Sequence, residues 1–96
     1  MNELLPIGSV VKTKYGKSDI LIVGYGGIGT KNPNKVFEYT GFVYPFGYKG
    51  EEDIIMFDYK DITNVVFENI RFEEYKKELD SMYKAIKEYN GGKHGE

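Results

Sequence analysis

The amino-acid sequence predicts an α+β protein, a small SH3-like antiparallel β-barrel of about five strands with a C-terminal α-helix. Three observations lead there. Residues 4–70 fall into short β-branched and aromatic runs separated by Gly, Pro, Asn and acidic breaks, the texture of a strand meander. Residues 37–50 hold six aromatics at nearly alternate positions, so one strand there is apolar on both faces and is expected inside the barrel. Residues 72–89 instead space their apolar side chains by three and four, a helical period.

The lead-in Leu5-Pro6-Ile7 is extended, because a residue before proline is kept out of the helical region. Val10, Val11 and Thr13 then make a first strand over 9–14, Tyr15-Gly16-Lys17-Ser18 a turn, and the run DILIVGY a second strand over 19–25. Residues 24–29 match G-x-G-x-x-G directly after that strand. A dinucleotide fingerprint needs a helix opening at its last glycine to hold the pyrophosphate, and residues 30–35 carry a proline and two Asn instead. A flexible loop joining two strands, without a cofactor, is expected.

The third strand, placed centrally and ending near Tyr44, puts Phe37, Tyr39, Gly41 and Val43 on one face and Phe42, Tyr44 and Phe46 on the other, with Phe42 and Val43 in the core. Pro45 has no N–H for a ladder, so 45–50 is a turn that presents Tyr44, Pro45, Phe46 and Tyr48 as one partner-binding surface. An acidic loop at 49–53, a strand at 54–57, a polar turn at 58–61 and a last strand at 64–67 follow. Glu51, Glu52, Asp53, Asp58 and Asp61 lack the alternating oxygen ligands and central Gly of a hard-cation loop, so they read as solvated loop residues and not as a metal site. No partner that would make them a general acid and base is in evidence, so no catalytic residue is assigned and no enzyme is expected.

Phe72, Tyr75, Leu79, Met82, Ile86 and Tyr89 draw one apolar stripe down about five helical turns. Glu73 and Glu74 at its start and Lys84 and Lys87 towards its end complement the helix dipole, and Asn90-Gly91-Gly92 ends it. The stripe fits the domain's own sheet, a partner helix, or a second copy in a homodimer, and its residues Phe72, Tyr75, Leu79, Met82 and Ile86 form the second candidate binding surface. The chain thus reads as a single domain over 1–96: barrel 4–70, helix 71–90, and a disordered tail 91–96 that includes His94.

Net charge is −2, distributed unevenly: residues 1–35 carry five Lys against Glu3 and Asp19, while residues 36–70 carry Lys49 and Lys60 against seven carboxylates. The aromatic-rich half is therefore acidic, which argues against nucleic acid despite Lys12, Lys14 and Lys17 around Tyr15. The start of the chain lacks a basic, apolar leader and no stretch reaches membrane-spanning length, so a cytoplasmic protein is expected. Cysteine is absent, which excludes disulfides and thiolate ligands.

Leu5-Pro6-Ile7-Gly8-Ser9-Val10-Val11, Ile22-Val23-Gly24-Tyr25, Tyr39-x-Gly41 with Tyr44-Pro45-x-Gly47-Tyr48, and Asp61-Ile62-x-x-Val65-Val66-Phe67-Glu68 occur in that order. In these blocks the chain resembles an uncharacterised family of small proteins from Gram-positive bacteria, encoded near type VII secretion genes for LXG-domain toxins and small helical partner proteins. The resemblance implies an accessory or targeting chaperone, or adaptor, with a secreted toxin or helical secretion accessory protein as partner. An immunity protein that neutralises a toxin domain, with the acidic 51–61 region mimicking an acidic ligand, and a nucleic-acid-binding barrel are the alternatives. Two departures stand out: Phe46 where the family usually has an acidic residue, and Asn69-Ile70 where Gly-Tyr is common. With the turn as contact surface, the first implies a difference in partner choice.

Overall fold

A computed structural model describes residues 4–28 and 34–93. It contains β1 (Val10–Thr13), β2 (Asp19–Ile28), β3 (Val36–Tyr44), β4 (Ile55–Phe57), β5 (Ile62–Phe67) and the helix α1 (Lys76–Glu88). Short 3-10 turns at Glu51–Asp53, Tyr59–Asp61 and Glu73–Tyr75 precede β4, β5 and α1. The strands form one antiparallel sheet in the order β4-β3-β2-β1-β5. The α+β class, the antiparallel strands and the C-terminal helix are as expected. The sheet is not closed, however: β4 and β5 are its two edges.

The middle strand is β2, not β3, because β2 is ten residues long and carries on through the segment expected to be a Gly-rich loop. Residues 24–28 pair with β3, with a register shift between Ile22 and Gly24. The glycines there serve close packing: a Cβ on Gly27 would lie 2.6 Å from Thr40 Oγ1 and 3.0 Å from Met56 Sδ. Residues 29–33 of that motif lie outside the described residues.

The core sits on one face of the sheet. Leu4, Leu5, Val11, Ile20, Ile22, Tyr39 and Phe57 form a buried cluster, with Tyr25, Val43, Ile55, Ile62 and Tyr83 packed against it. Its spine is a cross-strand ladder in which Tyr25 on β2 opposes Tyr39 on β3, which opposes Phe57 on β4. The ring centroids are 6.1 Å apart for Tyr25–Tyr39 and 5.4 Å for Tyr39–Phe57, contacts that add to simple area burial. The strongest core residue of β3 is thus Tyr39. Phe42 and Val43, expected in the core, are only half-buried, and Phe42 rests on Tyr48 with ring centroids 5.5 Å apart.

Behind β3 lies a network of buried carboxylates, contrary to the solvated loops expected for Asp58 and Asp61. Asp58 and Asp61 cap the 3-10 turn at Tyr59–Asp61 reciprocally, in a capping box. Glu38 N–H donates to Asp58 Oδ1 at 3.0 Å, and Tyr59 N–H donates to Glu38 Oε1 at 2.7 Å. Each carboxylate also has a lysine: Lys87 on Glu38 at 2.8 Å, Lys35 on Asp58 at 2.6 Å and Lys14 on Asp61 at 3.1 Å. Burial without such pairing would be prohibitive. Burial pushes the Asp61 carboxyl up, but the Asp58 N–H, Lys14 and Tyr15 outweigh it and hold the group below its ordinary value.

The helix is docked at its C-terminal half. Ile86 is buried, Tyr83 packs on the core, and Lys87 reaches Glu38. The α-helix ends before Asn90, as expected, but a further helical turn follows it. Tyr89–Lys93 form a π-type turn, in which Asn90 binds both backbone groups of Val36: its Oδ1 accepts from Val36 N–H and its Nδ2 donates to Val36 C=O, each at 2.8 Å. Asn90 thereby acts as a surrogate strand partner at the start of β3. Residues 94–96, including His94, lie outside the described residues.

Candidate functional site

The N-terminal half of α1 stands away from the sheet and leaves a groove of about 320 Å³. One wall is the lead-in, with Leu4, Pro6 and Ile7; the floor includes Tyr25; the other wall is Ile70, Phe72, Tyr75 and Leu79. Sequence patterning explains both walls. The proline keeps the lead-in extended, and the residues from Glu68 to Phe72 separate β5 from the 3-10 turn at Glu73–Tyr75 without a repeating element.

Hydrogen bonds hold the lead-in in place. Leu5 N–H donates to the Tyr39 hydroxyl at 3.0 Å, and the Tyr25 hydroxyl donates to Leu5 C=O at 2.6 Å, so two rings of the aromatic ladder hold Leu5 through the peptide groups on either side of it. The linker after β5 is tied to the same segment. Asn69 N–H donates to Ser9 Oγ at 3.0 Å, Asn69 Nδ2 donates to Ile7 C=O at 2.9 Å, and Arg71 Nη1 donates to Leu4 C=O at 3.1 Å. The two walls are therefore tied to each other, and the lead-in to the sheet, by the protein's own hydrogen bonds. Burial pushes the Tyr25 and Tyr39 hydroxyls above their ordinary range, so both stay protonated through neutral pH.

The lips of the groove are apolar and open to solvent: Ile70 is 68 % exposed, Phe72 59 %, Tyr75 54 % and Ile7 50 %. Met82 on α1 and Val66 and Phe67 on β5 are also exposed. Edge strand β5 does not offer a regular ladder for strand addition. Its pairing with β1 skips Val66 and Thr63, and two such bulges in six residues blunt an edge.

The residues selected from sequence divide into three groups. Phe72, Tyr75 and Leu79 come together in the groove, with Met82 exposed farther along α1. Ile86 does not join them, because it is 4 % exposed and buried against the protein's own sheet, where no partner reaches it. Tyr44, Pro45, Phe46 and Tyr48 form a separate exposed surface at the other end of β3, around a cis Tyr44–Pro45 peptide and a bond from Gly47 N–H to Val43 C=O of 2.9 Å. Tyr44 is five residues along β3 from Tyr39, about 17 Å at the rise of a strand, so the two surfaces are distinct. Leu4, Pro6, Ile7, Tyr25 and Ile70 were not singled out as site residues. The apolar lead-in was the available signal for the first three; only the fold reveals that Tyr25 and Ile70 meet them.

Among the described residues no group of three His, Asp or Glu is placed to hold a metal ion, and the buried Glu38, Asp58 and Asp61 are consumed by lysines and backbone N–H groups. Among the described residues no helix is long and apolar enough to cross a membrane.

A family model described as a domain of unknown function, DUF4176, matches residues 4–80. The match spans all five strands, the groove and the first turn of α1. No curated protein matches, and no solved structure matches.

Proposed function

The chain belongs to the DUF4176 family, and from that premise we propose that it is a non-enzymatic protein-binding module, an accessory or targeting chaperone or adaptor for a type VII secreted LXG-type toxin, working in the cytoplasm. The observation that carries the binding role is the open apolar groove. Its four lips, Ile7, Ile70, Phe72 and Tyr75, are each half or more exposed and adjoin one groove, and a contiguous apolar patch of several side chains on a monomer is often a functional surface. Covering apolar surface is favourable by about 25 cal/mol per Å², against which the costs of association are set. The nature of the partner, a helical export substrate or its helical accessory protein, comes from the family resemblance of the motif blocks. We further propose an SH3-like relationship for the fold, supported by the meander β1 to β4 with β5 returning beside β1.

Lys12 is paired with Asp19 at 2.6 Å and Lys14 with Asp61 at 3.1 Å, so Lys17 is the one hairpin lysine without an ion pair among the described residues, which disfavours the nucleic-acid alternative. The immunity alternative keeps one supporting feature, the exposed turn Glu51–Asp53, whose three carboxylates have no ion pair among the described residues.

The test is co-purification with the export domain and, separately, the toxic domain of an LXG-type toxin from the same genome. The export domain is expected to co-elute with the wild type and not with the folded variant Ile70→Asp/Phe72→Asp. Retention of the export domain by the folded variant would dismiss the groove. Co-elution with the toxic domain alone would replace the adaptor reading by immunity.

A further inference from the structure

We propose that the groove takes a basic amphipathic α-helix, apolar on one face and flanked by Lys or Arg, from the partner protein. The inference rests on the reading of this chain as a protein-binding module and adds the chemistry of what it binds. Charge around the groove decides it. Arg71 is paired with Glu68 at 2.8 Å and Lys76 with Asp80 at 2.9 Å, so these four charges are neutralised in place. Glu73, Glu74 and Glu78 are exposed and have no ion pair among the described residues, against Lys77 as the only unpaired cation of that stretch among the described residues. Glu73 lines the groove itself. Glu78 follows Tyr75 by three residues and precedes Met82 by four, so it stands beside both on the helix surface, with Glu74 one turn before it. The stretch 68–82 thus carries five carboxylates against three cations, and an apolar opening beside a net acidic stretch attracts an apolar face with a basic border.

The same charges argue against a second copy of this chain as occupant. A twofold contact would bring Glu73, Glu74 and Glu78 of each copy towards those of the other, which costs free energy at close range. An extended strand is disfavoured by the two bulges of β5. A helix remains: its apolar residues at three- and four-residue spacing reach into a groove whose own wall presents Phe72, Tyr75 and Leu79 at that spacing.

The experiment titrates the full chain with two designed amphipathic helical peptides, one of leucine and lysine and the other of leucine and glutamate, by calorimetry and by amide NMR shifts. The Leu/Lys peptide is expected to bind at least about tenfold more tightly, to shift Ile7, Ile70, Phe72 and Tyr75, and to weaken as salt rises. Glu73→Lys/Glu74→Lys/Glu78→Lys should reverse the preference, the milder Glu→Gln triple should reduce it, and Phe72→Asp should remove binding of both peptides. Equal binding of the two peptides, binding of neither, Leu/Lys binding that ignores Phe72→Asp, or self-association that excludes the peptide would each overturn the proposal. These outcomes are separate from the adaptor role, which stands or falls on co-purification with the export domain.

Discussion

Replacing Tyr39 by Phe deletes a single oxygen from a fully buried ring and tests whether the lead-in wall is held as described. The hydroxyl accepts the Leu5 N–H at 3.0 Å. Without it that buried donor loses its partner, at a cost of about 1–3 kcal/mol, while the ring keeps its packing against Tyr25 and Phe57. For a domain of this size a loss of about 2 kcal/mol lowers Tm by roughly 8–16 °C. Tyr25→Phe removes the donor to Leu5 C=O instead. Its cost should be smaller, about 0.5–1.5 kcal/mol, since Tyr25 borders the groove and water can replace the lost donor. Because the two hydroxyls hold the N–H and the C=O of one residue, Leu5, and their rings are in contact, the double variant should be non-additive. Urea unfolding followed by far-UV circular dichroism measures the stabilities, and amide exchange at Leu5 measures the clamp. A Tyr39→Phe protein within about 0.5 kcal/mol of the wild type, with Leu5 still protected, would refute the clamp.

Three further outcomes follow from the packing and the buried charges. A Cβ on Gly41 would lie 2.5 Å from Ile20 Cγ2 and 2.7 Å from Leu21 O, so Gly41→Ala should cost about 1–3 kcal/mol by overpacking; an unchanged melting curve would contradict the close approach of β3 to β2. Ile86→Ala should cost about 2–4 kcal/mol and raise amide exchange along α1, whereas a surface-like effect below about 0.5 kcal/mol would mean that the helix is not docked there. The folded-state pKa of Asp61 lies below its unfolded value, so its stabilisation is fully present above the unfolded value of about 3.9 and is lost as pH falls through the folded value. Asp61→Asn should therefore flatten the acid limb of the stability profile, and a limb of unchanged steepness would assign acid sensitivity to other groups.

The strands were legible because their apolar runs and breaks are local signals; the buried polar network was not, because it is assembled across the chain. Asp58, Lys60 and Asp61 have the composition of a solvated turn, and only the pairing of β3 with β4 brings Glu38 over that turn and makes the carboxylates buried partners of Lys14, Lys35 and Lys87. Residues 24–28 misled for a related reason. Glycine reads as loop when its neighbours are unknown, whereas here Gly27 is set by the approach of Thr40 and Met56 from β3 and β4. The helix was found by its period, but one period concealed two environments: Ile86 buried on the sheet, Phe72 and Tyr75 open at the groove. Periodicity reports which side of a helix is apolar and is silent on what covers each turn.

That division within one stripe bears on how a partner would bind. The helix is fixed at its far end by Ile86, by the Lys87–Glu38 ion pair and by Asn90 on Val36. The chain entering it is fixed by Asn69 and Arg71 on the lead-in. With both ends anchored to the same sheet, the distance between the groove walls is set before any partner arrives, so little of the binding free energy is spent on ordering this protein. Binding should then leave amide exchange in β1–β5 unchanged and alter it only along the lead-in, residues 68–72 and the first turns of α1. Widespread new protection across the sheet on adding the Leu/Lys peptide would show instead that the groove is completed by its occupant. In that case the anchors at Asn90 and Arg71 would have to be released and reformed, and substituting either should speed association rather than weaken it.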